Sequence, residues 1–384
     1  MVKRLFTHPF IRFVGKKAVF YLIVAIIALT FIFIIPRLMP GNPVDRMIPP
    51  GTTDVGRLRL RAELERYFGL NKPLHEQYVD FWANLLTGNL GIDRNFRPIA
   101  TVVMEKLPFT LVLVIPVLLI GFFVGNWIGA KAAYTKGKRS EAVYFTSVFA
   151  SQMPFFWFAL VMVFLLAVDV SSIVKLVAIG ILGGVIVALF LLTVISDNFK
   201  LIVSGIIGSM IVLLFVLAVT AGIFPTSGTF SARFMPGLNF ATFADASRHY
   251  VLPFLTLLII TTGGWATGMR SMTLYELDSG YILYGKQLGF RNKKLASYAR
   301  RNAILPQFTG LNINLNNLIG MTMIIEIVFR WDGIGLLAYQ AVLSQDYAMI
   351  LGTFLITMVV VILGNFLVDM TYAFLDPRIR TGRG

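Results

Sequence analysis

Several runs of apolar residues in this chain are too long for the core of a water-soluble domain. Residues 18–35 are 18 consecutive uncharged residues, and as a helix they would span about 27 Å, close to the thickness of a bilayer's hydrocarbon core. Comparable runs occupy residues 107–134, 142–168, 173–195, 201–219, 250–269, 308–329 and 348–375. Backbone N–H and C=O groups in hydrocarbon must bond to one another, which leaves only helices and closed barrels. These runs are continuous rather than alternating, so they predict helices. With 57% hydrophobic and 14% charged residues, the chain is expected to be an all-α integral membrane protein, a polytopic bundle of about eight spans.

The formal net charge is +15, which raises the question of nucleic acid. Placing the N-terminus in the cytoplasm and alternating sides at each span puts 20 Lys and Arg against 5 Asp and Glu on the cytoplasmic side, and 14 of each elsewhere. The excess is a membrane-orientation signal, with both termini cytoplasmic, and needs no nucleic acid. Cysteine is absent, which excludes disulfides, thiolate metal sites and a cysteine nucleophile. His8, His75 and His249 lie far apart in no ligand spacing.

Between two apolar runs lies a polar island, residues 279–306, SGYILYGKQLGFRNKKLASYARRNAILP. It reads as two short helices meeting at Gly289, with Asp278 or Ser279 capping the first and Asn292 the second. Lys293, Lys294, Arg300 and Arg301 make the second helix basic, and Pro306 is expected to end it. The simplest reading is a basic loop obeying the positive-inside rule. However, the Gly289 turn followed by RRNAILP, residues 300–306, resembles the cytoplasmic coupling loop of ATP-binding-cassette importer permeases, in particular the dipeptide, oligopeptide and nickel branch. The resemblance implies that Tyr281, Tyr284, Gly285, Lys286, Gly289, Phe290, Arg300, Arg301, Asn302, Ala303 and Pro306 form the element that sits in a groove of the ATPase subunit.

Taken in order, residues 1–41 give a basic N-terminal segment and the first membrane helix, whose exit, RLMPGNP, is similar to the same family's. Residues 42–106 are expected outside, with amphipathic helices over 60–70 and 74–86. They would cover a pathway mouth, receive a solute-binding protein, or cap the helix ends. Residues 107–168 hold the second and third membrane helices. Pro116 suggests a kink in the second, and SQMPFFWF, residues 151–158, resembles the family's serine, proline and aromatic run. Residues 169–220 depart from the family pattern as an inserted membrane hairpin, a pair that leaves downstream sidedness unchanged. Residues 221–249 form an external loop opening on AGIFPTSG. Residues 250–384 form a C-terminal core that contains the island and the last two spans.

In the span 308–329, Asn312, Asn316, Gly320, Met323 and Glu326 fall within roughly a 120° arc. Amides facing lipid are costly, so this arc is expected to face the bundle or a watery path. It is the candidate translocation path, with simple interhelical hydrogen bonding as the alternative. Asn314 and Asn317 fall off the arc. EIVFRWDGIG, residues 326–335, and DPRIR, residues 376–380, resemble further family motifs. Asp369, near a helix end, is expected to snorkel or to pair with a cytoplasmic arginine, a structural role rather than a proton relay.

No GxxxxGK[ST] phosphate loop is present in the sequence, and no catalytic constellation has motif support. The chain is therefore expected to be a transport subunit without enzyme activity or cofactor of its own, ATP and Mg being held by partners. Family membership would imply a second homologous permease subunit, two cytoplasmic ATP-binding subunits, an extracytoplasmic solute-binding protein and residence in the cell membrane. The cargo would be di- or oligopeptides, with oligosaccharides or nickel complexes as alternatives. A gradient-driven secondary transporter is the rival from another class. It would call for polar coupling sites near the midplane of broken helices, and a membrane-embedded enzyme lacks any such support.

Overall fold

The computed structural model describes residues 9–38, 51–67, 69–93, 96–135, 137–166, 227–231 and 240–375, with Val44, Ile48, Phe224 and Pro225. The inserted hairpin, the N-terminal eight residues and the DPRIR motif lie outside the described residues. Eleven helices carry the described residues. They are α1 (Pro9–Leu38), α2 (Asp54–Tyr67), α3 (Leu74–Leu86), α4 (Ile99–Tyr134), α5 (Lys138–Gln152) and α6 (Phe155–Leu166), followed by α7 (Phe240–Leu277), α8 (Gly280–Gln287), α9 (Asn292–Phe329), α10 (Ile334–Leu343) and α11 (Tyr347–Leu375). Among them, five are long and apolar enough to cross a membrane, or six if α5 and α6 together make one span. Large apolar side chains on the outside, such as Phe20, Leu22, Phe123 and Leu367, match a hydrocarbon surround. The protein is a helical, multi-pass membrane protein.

The chain forms two compact units, Met1–Leu111 with Asp332–Gly384, and Val112–Trp331. In the first, α1 lies along α11. Asp369 accepts a hydrogen bond from Tyr21 at 2.8 Å and pairs with Lys17 at 2.8 Å, so a lysine of α1 stands beside it. α3 docks on the end of α1, where Tyr78 and Phe81 meet Phe33 at 5.2 and 5.4 Å and Arg37 donates to Gln77 at 3.1 Å. The start of α4 builds a small core with α10 and α11 from Ile99, Val102, Val103, Ile334, Ala341, Met349 and Ile350. Thr110 accepts the Ile334 amide at 2.8 Å, satisfying a donor at the N-terminus of α10. Sequence periodicity did not anticipate α10 as a separate helix.

In the second unit, α7 is held between α4 and α5 by residues without side chains. A Cβ on Gly125 would lie 2.7 Å from the Thr262 oxygen, and one on Gly129 would lie 2.2 Å from the Ala266 oxygen. On its other side, a Cβ on Gly263 would lie 2.8 Å from the Ser147 oxygen of α5. Helices approach this closely only through small residues. Phe122 meets Trp265 edge to face at 4.9 Å and Phe308 at a tilt at 5.0 Å, joining α9 to the same pair.

Two expectations fail in this unit. The predicted third span is broken at Met153 and Pro154 into two helices bent by 95°. Met153 is extended, as the residue before a proline prefers, and Pro154 has no N–H to carry the helix on. Conversely, Pro306 does not end a helix, since α9 runs unbroken through it for 38 residues. On either side, Ala303 packs with Ala130 and Met269, and buried Gln307 approaches Gly268. Tertiary packing there outweighs the one ladder bond that proline removes.

Candidate coupling site and translocation face

The end of α8 follows from one residue. Gly289 has φ +78°, the left-handed region that costs an ordinary L-residue energy. The turn is closed by Phe290 N–H on the Gly285 carbonyl at 3.1 Å and by Gly289 N–H on the Lys286 carbonyl at 3.0 Å. This is the paired pattern that satisfies the last carbonyls of a helix. The expected caps differ in detail. Ser279 occupies the cap position of α8 without a side-chain cap bond, its hydroxyl instead turning back to the Glu276 carbonyl at 2.6 Å. Arg291, not Asn292, precedes α9.

The hairpin folds on itself through a small apolar contact. Ile282, Leu295 and Ala299 are buried together beside Leu277, and Gly285 lets α8 approach α9 so closely that a Cβ there would meet Leu295 at 2.8 Å. Lys294 lies 4.2 Å above the Phe290 ring, an attraction between cation and π face. What stays outside is mixed apolar and basic: Tyr284 is 62% exposed, Leu283 and Leu288 are exposed beside it, and Lys286, Arg300 and Arg301 are exposed as well. The structure therefore brings Tyr281, Tyr284, Gly285, Lys286, Gly289, Phe290 and Asn302 into one module. Ala303 and Pro306 lie further along α9, with Ala303 buried.

Tyr281 sits where three helices meet. Its hydroxyl donates to the Glu276 carboxylate at 2.5 Å and accepts from the Asn302 amide at 3.0 Å. Burial and the bond to Glu276 hold the phenol above its ordinary pKa, so it remains a donor at neutral pH. Glu276 was not among the residues singled out in the sequence, because an acid at the tail of an apolar run gives no periodic signal.

The predicted arc on α9 does not share one environment. Asn316 and Gly320 are exposed, Asn312 and Met323 are half-buried, and Glu326 is 0% exposed. The exposed stripe is instead Ile313, Asn316, Asn317, Gly320 and Ile324, which takes in Asn317 from outside the arc. Glu326 is covered because the last turn of α9 is enclosed: the Gly228 amide donates to the Phe329 carbonyl at 2.9 Å, and Trp331 is buried against Tyr250 at 5.9 Å. Asn314 donates within its own helix, to the Gly310 carbonyl at 3.0 Å.

The described residues form a polytopic helical membrane protein with an exposed helical hairpin between two long apolar helices. Residues 118–381 match the family of binding-protein-dependent transport system inner membrane components, and the chain belongs to that family, as a permease of the ATP-binding-cassette importer class. It is 27% identical to the oligopeptide transport system permease protein AppB of Bacillus subtilis, over 90% of this chain and 92% of that one. It is 28% identical to the di/tripeptide transport system permease protein DppB of Pseudomonas aeruginosa, over 92% and 94%. Against the dipeptide transport system permease protein DppB of Escherichia coli it is 26% identical, over 93% and 94%.

Proposed function

We propose that this chain is one of two homologous permease subunits of an importer that carries di- or oligopeptides. An extracytoplasmic solute-binding protein delivers the peptide, and ATP hydrolysed on two cytoplasmic subunits drives the cycle. The observation that carries the reading is the α8 hairpin: a rigid turn at Gly289, an apolar seam against α9, and an exposed face of Leu283, Tyr284 and Leu288 flanked by cations. Such a face suits a groove on a partner protein. Both termini then lie in the cytoplasm, and nucleotide and Mg belong to the partners. Peptide is the preferred cargo because the relatives named above are peptide permeases. Uncharged Asn316 and Asn317 on the exposed stripe of α9 would suit peptide backbone groups, which both donate and accept hydrogen bonds.

In this scheme nucleotide-driven closure of the ATPases moves α8, and α7 and α9 carry the motion into the membrane, switching the bundle between two states. The test is uptake of labelled di- and tripeptides by proteoliposomes holding the complete transporter and its binding protein. ATP-dependent accumulation is expected. Accumulation that persists without ATP and follows an ion gradient would support a secondary transporter instead.

A further inference from the structure

We propose that the Glu276, Tyr281 and Asn302 cluster is a polar latch that makes the end of α7, all of α8 and the first turns of α9 move as one body. The inference rests on the proposed role of α8 as the ATPase contact and names residues that position it. One oxygen joins the three helices, because the Tyr281 hydroxyl donates to Glu276 on α7 and accepts from Asn302 on α9. The apolar seam of Ile282, Leu295 and Ala299 is directionless and lets α8 slide or roll over α9. Two hydrogen bonds from a single atom do not, since their strength falls steeply with misalignment. One of them ends on a carboxylate, which strengthens it. The latch also sits at the start of α8, whereas the Gly289 turn secures its end. Together they fix both ends of an eight-residue helix to its neighbours.

Without the latch, a push on α8 would be spent in tilting it about the seam rather than in moving α7 and α9. Tyr281, Glu276 and Asn302 are thus positioning residues for coupling, acting through the orientation of α8. Tyr281→Phe removes both bonds and keeps the ring. Glu276→Gln keeps an acceptor for the hydroxyl, whereas Glu276→Ala does not.

The experiment uses the complete transporter, with spin labels on cysteines introduced at Ser271 of α7 and Gln287 of α8, both exposed, in a chain that has no cysteine of its own. In the unsubstituted latch the distance between the labels is expected to be the same without nucleotide and with ATP and vanadate. Tyr281→Phe and Glu276→Ala should each shift or broaden that distance only in the ATP and vanadate state, with the double variant no worse than either alone, and Glu276→Gln should restore the original behaviour. Either a nucleotide-dependent change with the latch intact or an unchanged distance in Tyr281→Phe would overturn the latch. Failure of the underlying reading looks different: a label at Tyr284 that the ATPase subunits leave fully accessible to quencher would remove the contact itself, whatever the latch does.

Discussion

The hairpin of α8 and α9 and the packed membrane helices α4, α5 and α7 are held together by opposite means. In the hairpin, named side chains make the contacts: an αL glycine turn, an apolar seam, and a tyrosine shared between a carboxylate and an amide. In the bundle, glycines make them by leaving room, so that backbone meets backbone around Gly125, Gly129 and Gly263. The difference teaches where each region can fail. Membrane packing should tolerate almost no added atom, whereas the hairpin should lose coordination before it loses structure.

The sharpest way to break the comparison is to add bulk to the bundle. Gly129→Leu places a side chain where a Cβ alone would lie 2.2 Å from the Ala266 oxygen. A loss of more than about 4 kcal/mol is expected, seen as failure to recover folded protein from membranes. Normal yield and melting temperature would refute the close approach. Next comes the turn itself. Gly289→Val meets no atom within 4 Å but must adopt φ +78°, at a cost of about 1–2 kcal/mol. The protein should insert and assemble yet hydrolyse more ATP for each peptide moved, and Gly289→Asn, which tolerates this conformation better, should lie between the two.

A smaller effect is expected at the other end of α9, where the same two-bond turn is built on a non-glycine residue. Arg330 has φ +50°, with Trp331 N–H on the Glu326 carbonyl at 2.8 Å and Arg330 N–H on the Ile327 carbonyl at 3.3 Å. Arg330→Gly should change stability by no more than about 1 kcal/mol, since relief of strain and loss of chain stiffness oppose each other. Thermal unfolding in detergent measures it. Smallest of all in stability is Asn316→Leu on the exposed stripe of α9, expected within about 0.5 kcal/mol while altering peptide uptake. Loss of complex assembly would assign Asn316 to subunit packing instead.

The two turns flanking α9 also explain how much could be read in advance. Gly289 was legible because glycine is the usual residue for a left-handed helix end. Arg330 was not, because its conformation is imposed by burial of Trp331 and by the Gly228 bond to Phe329, contacts far apart in sequence. The apolar runs predicted membrane helices well, yet hydrophobicity misjudged one proline and local propensity the other. Pro154 breaks a span that hydrophobicity alone made continuous, and Pro306 is carried through by packing on either side. Gly121, Gly125 and Gly129 did leave a signal, small residues at every fourth position, which marks a close helix contact. Glu276 left none, since its partners come from α8 and α9. On α9, helical periodicity put Asn316 and Glu326 on one arc expected to face the bundle or a watery path, and it could not foresee that Asn316 would be exposed while Glu326 is enclosed.

The central claim, that α8 is the surface gripped by an ATPase, is tested most directly by a single cysteine at Tyr284, exposed on this chain. In the complete transporter it is expected to cross-link to an ATP-binding subunit, with a yield that changes between nucleotide-free and ATP and vanadate states, and to resist membrane-impermeant maleimide in intact cells. Ready labelling from outside the cell, with no cross-link to the ATPase, would contradict the account.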